Sequence, residues 1–128
     1  MNVVDSSGWV GYFQDSPRAD FFAAAIERRS ELLVPVVALY EVHKILRRKV
    51  SADVVDQFLD VMRLGRVLEI TDLRAVNASR AANLHSLAMA DAMMYSMAQE
   101  FGATFWTQDG DYQALPNVRF CQNLSDPK

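Results

Sequence analysis

The sequence has few of the features that stabilise or anchor proteins outside the cytosol. It contains one cysteine, Cys121, so no disulfide can form within the chain, and this favours a reducing compartment. No apolar run approaches the roughly 18 residues of a membrane span. The first residues, MNVVDSSGWV, lack the basic start and apolar run of a signal peptide. We therefore expect a cytoplasmic protein that does not bind membranes.

An excess of basic charge is also absent. The 128 residues include 13 Lys and Arg against 16 Asp and Glu, which gives a net charge of −3. This balance argues against a protein that coats nucleic acid nonspecifically, but it is compatible with an enzyme that acts on nucleic acid. The two histidines, His43 and His85, are not spaced as a metal-binding pair with any Cys or Asp.

The sequence does contain an alternation of strand-like and helix-like segments, without repeats, linkers or low-complexity tracts. Strands are predicted at 1–5, 32–35, 66–70, 104–107 and 118–122. Helices are predicted to begin at Ser16-Pro17, before Leu39, at Ser51, at Thr71 or Asp72, and at 90–92. This order predicts a single α/β domain over residues 1–128 with a mostly parallel sheet.

Four acidic residues fall near the carboxyl ends of the predicted strands. Asp5 ends the first strand, Glu41 lies on the helix after the second, Asp91 lies near a helix start, and Asp109 follows the fourth strand. Ligands bind beyond the carboxyl ends of parallel strands, so we expect these acids to project toward one edge. Clustered carboxylates repel each other, and Mg²⁺ or Mn²⁺ would relieve that repulsion. Two such ions can activate a water for phosphodiester hydrolysis.

Each acid also has a simpler explanation when it is considered alone. Asp5 can cap a helix or form a turn, and Glu41 can be an ordinary solvated helix residue. Asp91 can be a favourable charge at a helix N-terminus, and Asp109 with Asp111 can form a turn around Gly110. Their joint placement at one sheet edge favours the metal site over these separate explanations.

Three segments together resemble a PIN-domain ribonuclease. They read VVDSSGWVGYF, LLVPVVALYEVHKIL and LAMADAMMYSMAQEFGATFWTQDGDYQALPNVRF, and they span nearly the whole chain. The last is the most specific: an Asp-Ala pair at a helix start, Gly-Ala-Thr entering a strand, then Thr-Xaa-Asp with a second Asp two residues on. More narrowly, the sequence is similar to the VapC-like toxins of type II toxin–antitoxin pairs.

The resemblance implies a three-layer α/β/α fold and a metal-dependent endoribonuclease. It implies that Asp5 and Asp91 are the principal Mg²⁺ ligands, and that Glu41 and Asp109 complete the shell or orient the attacking water. Asp111 is a weaker candidate. Two polar residues beside the acids, Ser6 and Thr107, would hold a carboxylate or a phosphate. The resemblance also implies an RNA substrate, a cognate antitoxin protein and a homodimer.

Aromatic and basic residues supply candidate contact surfaces. Trp9, Tyr12 and Phe13 are expected in the core or at an interface, and exposed aromatics in that segment or on the helix of Tyr40 would contact a partner. Dimerisation would also place basic helix ends beside the acids. The basic residues in question are Arg47, Arg48 and Lys49.

Other functions are less compatible with the sequence. A receiver domain needs a Lys late in the chain, but none lies between Lys49 and Lys128. An aspartyl phosphatase would need Asp-Xaa-Asp at the first strand, where this chain has Asp5-Ser6-Ser7. The stronger rival is a catalytically silent PIN-fold module that binds a protein partner, and a metal-dependent DNA nuclease is a third possibility.

Overall fold

The computed structural model describes residues 1–122, in which five strands alternate with six helices. The strands are β1 Asn2–Val4, β2 Leu32–Pro35, β3 Arg66–Leu68, β4 Thr104–Thr107 and β5 Val118–Phe120. The helices are α1 Ser6–Phe13, α2 Ala19–Ile26, α3 Val36–Leu46, α4 Ala52–Met62, α5 Asp72–His85 and α6 Met89–Glu100. Two single-turn 3-10 helices, Arg29–Glu31 and Gly110–Tyr112, precede β2 and follow β4.

All strand pairs in the sheet are parallel, and their order is β3-β2-β1-β4-β5. The chain therefore moves outward from β1 to β3, then crosses back to form β4 and β5 on the other side of β1. Crossover connections are right-handed, so the two directions place helices on opposite faces of the sheet. This arrangement confirms the predicted α/β/α fold.

The reversal of strand order lies between β1 and β4. The two strands are neighbours with Val3 opposite Phe105 and Val4 opposite Trp106. Connections leave this point on opposite faces, which opens a crevice beyond the carboxyl ends of the two strands. The segments that begin at Asp5 and at Gln108 border this crevice.

The core consists of the strands and the inward faces of the helices. All four residues of β2 are buried, as expected for a parallel strand covered on both faces. Trp9 is fully buried and its ring stacks on Phe13 at 5.6 Å. The expectation of an exposed aromatic surface at Trp9 is thus wrong, and the core alternative is correct.

Several element boundaries agree with the sequence prediction. The strand at 32–35 and the strand at 104–107 are reproduced, and Ser51 caps α4 by accepting a hydrogen bond from the amide of Val54 at 3.4 Å. Gly102 lies just after the end of α6 and adopts a left-handed φ of 61°, which glycine tolerates. None of the helices in residues 1–122 is long and apolar enough to cross a lipid bilayer.

The structure differs from the sequence prediction at two helices near the N-terminus. The helix expected from Ser16-Pro17 begins instead at Ala19, because Ser16 forms a turn before it. The Oγ atom of Ser16 accepts a hydrogen bond from the amide of Arg18, and its carbonyl oxygen accepts one from the amide of Ala19. The sequence does not predict helix α1, because its two glycines and three aromatic residues give it low helix propensity.

Helix α1 packs unusually close to its neighbours at Gly8. A Cβ atom at this position would lie 2.6 Å from Cε1 of Phe22 and 2.8 Å from Cγ1 of Val4. Only glycine fits this gap, so α1 can lie directly against α2 and β1. The close approach fixes the start of α1, and with it Asp5, against the end of β1.

Candidate active site

Asp5 occupies the junction between β1 and α1. Its backbone carbonyl accepts the first hydrogen bonds of α1, from the amides of Gly8 and Trp9 at 2.9 and 3.1 Å. Its side chain does not cap the helix. The carboxylate instead accepts hydrogen bonds at Oδ2 from the hydroxyls of Thr107, at 2.8 Å, and Ser7, at 3.2 Å. Within residues 1–122, Oδ1 takes no hydrogen bond, so one oxygen remains for another ligand.

Burial makes the charged form of Asp5 energetically unfavourable. The residue is 4% exposed. Burial raises the pKa of Asp5 from 3.8 to about 6; hydrogen bonds from Thr107 and Ser7 oppose this rise, whereas the charges of Asp91 and Asp109 add to it. A neighbouring cation would offset the cost of this buried charge.

Glu41 reaches the same region from α3. The Ser6 hydroxyl donates to its Oε1 at 2.7 Å, which ties the first residue of α1 to α3. The same hydroxyl lies 3.4 Å from Sδ of Met94, a weaker alternative acceptor. The expectation that Ser6 holds a carboxylate is therefore correct, and the carboxylate is that of Glu41.

Asp91 lies in the first turn of α6, where the helix dipole favours negative charge. Burial nevertheless raises the pKa of Asp91; the Tyr112 hydroxyl lowers it, and the charges of Glu41, Asp109 and Asp111 raise it further. The buried Tyr112 hydroxyl approaches this carboxylate without completing a hydrogen bond to any group in residues 1–122. Burial, followed by the charges of Asp5 and Asp91, strongly raises the pKa of Tyr112, so its hydroxyl stays a proton donor.

Asp109 follows β4 and has a structural role that the sequence also allowed. Its Oδ1 accepts from the amide of Asp111 at 2.9 Å, which caps the 3-10 turn Gly110–Tyr112. Its own amide donates to Oγ1 of Thr107 at 3.0 Å. The Thr107 hydroxyl thus accepts from Asp109 and donates to Asp5, as expected of a residue that holds a carboxylate. Asp111 is exposed at the rim.

The four predicted acids are brought together at the crevice between β1 and β4. Asp5 is close enough to Asp91 and Asp109 for their charges to raise its pKa, and the charge of Glu41 raises the pKa of Asp91. Hereafter the acidic edge denotes these four residues. No basic residue forms an ion pair with any of them within residues 1–122.

The sequence matches the model of the PIN domain over residues 3–118. The chain belongs to the PIN-domain family. This match covers most of the chain and confirms the resemblance found from the sequence. No curated protein is similar enough in sequence to count as a relative.

Solved structures with the fold of this PIN domain include several toxins. A toxin–antitoxin complex from Klebsiella pneumoniae aligns with a TM-score of 0.79 and 14% identity, over 93% of this chain and 96% of that one. VapC20 from Mycobacterium tuberculosis is described as a sarcin–ricin loop cleaving toxin. It aligns with a TM-score of 0.76 and 16% identity, over 91% of this chain and 95% of that one. FitAcB from Neisseria gonorrhoeae aligns with a TM-score of 0.66 and 16% identity, over 94% of this chain and 97% of that one. At these identities the comparison establishes the fold.

The acidic edge of the PIN domain fits a hard divalent cation in its donor chemistry. The side-chain oxygens that it offers belong to carboxylates, which Mg²⁺ and Mn²⁺ prefer. Within residues 1–122, no three carboxylate, histidine or cysteine side chains converge on one ion position. Mg²⁺ usually binds one or two carboxylates and retains several waters, so a site for it does not require three converging side chains. The Tyr112 hydroxyl is buried and donates no hydrogen bond within residues 1–122. A water bound to such a cation would offer it an acceptor.

Tyr112 and Gln108 are the residues at the edge that sequence reasoning missed. Gln108 follows β4 directly; its amide nitrogen donates to the carbonyl of Ser7 at 3.2 Å, and its Oε1 accepts from Arg18 at 2.7 Å. It therefore joins the loop after β4 to α1. The only available signal was position, since both residues flank Asp109 in the segment TQDGDY.

Proposed function

We propose that this PIN domain is a metal-dependent endoribonuclease that hydrolyses RNA phosphodiester bonds, and that it is the toxin of a toxin–antitoxin pair. The observation that carries the proposal is the acidic edge itself. Four carboxylates share the crevice between β1 and β4, and one of them, Asp5, is buried at an energetic cost. A bound divalent cation would offset that cost.

Each side chain of the acidic edge has a role in the proposed reaction. Asp5, through its unused Oδ1, and Asp91 would hold Mg²⁺ or Mn²⁺. The bound ion would supply Lewis acidity and a water of lowered pKa. Glu41 and Asp109 would complete the shell or accept a proton from the attacking water. Thr107 positions Asp5, because its hydroxyl holds Oδ2 in place.

The structural relatives support the choice of RNA and the partner. The Mycobacterium tuberculosis relative is described as a toxin that cleaves the sarcin–ricin loop, an RNA element. Other relatives are toxin–antitoxin complexes, which supports a cognate antitoxin protein as partner. We further propose that the chain acts as a homodimer in the cytoplasm.

The second candidate is a catalytically silent PIN-fold module that binds a protein partner. One observation favours it, namely that no three ligands in residues 1–122 converge on a metal position. The two functions differ in what they require of the acids. A binding module would keep its partner when the carboxylates are neutralised, whereas a nuclease would lose its activity.

Cleavage of paired RNA and DNA oligonucleotides tests the nuclease directly. The purified chain, freed of any partner, is incubated with labelled RNA, including a sarcin–ricin hairpin, and with DNA of the same sequences, in Mn²⁺, Mg²⁺ or EDTA. We expect metal-dependent cleavage of RNA alone. Asp91→Asn should reduce the rate by at least about 100-fold, since it would remove a ligand of the cation that stabilises the developing negative charge.

The matched control is Asp56→Asn, which removes one exposed carboxylate on α4 outside the acidic edge. It should leave the rate unchanged. Equal cleavage of DNA would indicate a DNA nuclease instead. Cleavage that persists in EDTA or in Asp91→Asn would contradict the proposed site, and no cleavage of any substrate would favour the binding module.

A further inference from the structure

The exposed face of α3 carries a short row of three residues that none of the proposed chemistry uses. Tyr40, Lys44 and Arg48 follow one another at four-residue intervals, so they lie on the same side of the helix and its continuation. Tyr40 is 64% exposed. The Nζ atom of Lys44 lies 5.9 Å from the centre of its ring. We call these three residues the α3 stripe.

The cations of the α3 stripe are not neutralised by acids. Within residues 1–122, neither the Lys44 side chain nor the Arg48 side chain forms an ion pair or a hydrogen bond. Two other cations do pair with acids: Arg74 with Glu100 at 3.0 Å, and Arg63 with Asp60 at 3.1 Å. The stripe therefore presents free positive charge on a protein whose net charge is negative.

The α3 stripe is continuous with the acidic edge. Together with Ile45 and Glu41, its residues line a shallow depression of about 260 Å³ on the surface of α3. Glu41 thus belongs to both regions, with its Oε1 bound to Ser6 on the side of the acids. A chain lying along the stripe would lead directly to the proposed site of cleavage.

We propose that the α3 stripe binds the single-stranded part of the RNA substrate and guides it to the acidic edge, an inference that rests on the proposed nuclease function. An unpaired base would stack on the Tyr40 ring, and successive phosphates would contact Lys44 and Arg48. Arg48 lies in the turn that follows α3 and lines the same depression as Lys44, so the two cations could contact neighbouring phosphates of an extended strand. An aromatic platform beside a row of cations is the usual means of binding single strands.

An acidic peptide is the other occupant that the charge would admit. RNA is favoured because the stripe combines an exposed aromatic ring with two cations and adjoins residues proposed to cut RNA. A peptide that only needed countercharges would gain nothing from the ring at Tyr40. The two occupants respond differently to removal of the ring, which allows them to be distinguished.

Binding and single-turnover cleavage of a labelled single-stranded RNA test the proposal. Affinity is measured by fluorescence anisotropy on the Asp91→Asn background, at several salt concentrations, and cleavage on the otherwise unmodified protein. Tyr40→Ala should weaken binding about tenfold, as expected for loss of one stacked base, and Tyr40→Phe should restore it. The Lys44→Ala/Arg48→Ala double variant should reduce the salt dependence by about 1.4 in log–log slope, that is, by two phosphate contacts.

The control removes a cation from the opposite edge of the sheet. Arg28 is exposed and precedes β2, so it lies at the amino ends of the strands, and Arg28→Ala should change neither affinity nor salt dependence. In cleavage, the stripe variants should raise the RNA concentration needed for half-maximal rate while leaving the rate at saturating RNA within about twofold. A merely structural role would instead lower the rate at saturating RNA.

Each remaining outcome separates the stripe from the nuclease. Normal cleavage with unchanged affinity and salt dependence in the stripe variants would overturn the stripe and leave the nuclease standing. RNA binding that the variants weaken, without cleavage by the wild type, would support the stripe and overturn the nuclease. The proposal fails if poly-glutamate binds the wild type and binds the variants more weakly, while their affinity for RNA is unaltered. The stripe would then be a binding surface for an acidic protein.

Discussion

The acidic edge and the α3 stripe meet at Glu41, yet they hold their charges in opposite ways. At the edge, Asp5 is buried and fixed by two hydroxyls, and Glu41 is fixed by a third. On the stripe, Lys44 and Arg48 are exposed and form no contact of this kind within residues 1–122. Fixed, buried charge suits chemistry that requires exact placement, whereas free, solvated charge suits a flexible polyanion.

The comparison has an energetic side as well. Burial of Asp5 destabilises the metal-free protein, because its charged form is favoured less in the fold than in the unfolded chain. The exposed cations carry no such cost. Stability should therefore respond to changes at the edge and remain insensitive to changes on the stripe.

The largest effect on stability is expected from Asp5→Asn in metal-free protein. The folded state binds the Asp5 proton more tightly than the unfolded state, so wild-type stability should fall as the pH rises from about 4 to about 6 and stay reduced above. A pKa of about 6 rather than 3.8 corresponds to about 3 kcal/mol. Asp5→Asn should recover up to this amount at pH 7.5, as measured by urea unfolding in EDTA.

The pH series supplies the control for this prediction. Below about pH 4 the wild type and Asp5→Asn should differ little, since Asp5 is then neutral in both states. Asp56→Asn, which changes an exposed carboxylate, should stay within about 0.5 kcal/mol of wild type at every pH. Destabilisation by Asp5→Asn at pH 7.5 would mean that the buried charge is compensated by the protein itself.

A smaller effect is expected from Thr107→Val, which removes the hydroxyl that holds Asp5. Asp5 itself is unchanged, but its carboxylate would lose the 2.8 Å hydrogen bond from Thr107. Metal affinity and the cleavage rate should therefore fall by about 10- to 100-fold. Thr107→Ser keeps the hydroxyl and should retain most of the affinity. Equal affinities in the two variants, measured by Mn²⁺ titration, would show that Thr107 does not position Asp5.

A further effect, on stability alone, is expected from Gly8→Ala, at about 1–3 kcal/mol of destabilisation. Alanine ordinarily stabilises a helix interior relative to glycine, but here its Cβ would meet Phe22 and Val4 below 3 Å. Gly110→Ala is the matched control, since nothing lies within 4 Å of its Cβ position. Thermal unfolding of both variants measures the difference. A stabilised Gly8→Ala would show that α1 is not pinned against β1.

The fold was largely predictable because most of its elements have distinct local signals. The apolar run LLVP gives β2, the capping Ser51 gives the start of α4, and ATFWT gives β4. Alternation of these elements is sufficient to indicate an α/β sheet, and parallel strands bring their carboxyl ends to one edge. The acidic residues Asp5 and Asp109 could therefore be grouped before any contact was known.

The parts that could not be predicted depend on tertiary contacts. Helix α1 forms although its glycines oppose it, because Gly8 allows close packing against Phe22. Tyr112 enters the site only because the 3-10 turn after β4 directs it inward, and Gln108 only because its amide reaches the carbonyl of Ser7. Local propensity carries no information about either contact.

The central claim is that Asp5 and Asp91 belong to one divalent metal site. Isothermal titration of Mn²⁺ into the purified chain, free of any partner, tests it most directly, alongside Asp5→Asn, Asp91→Asn and the control Asp56→Asn. Saturable binding in the wild type and Asp56→Asn, lost in both of the other variants, is the predicted result. Binding that survives in either Asp5→Asn or Asp91→Asn, or no binding by the wild type, would contradict it.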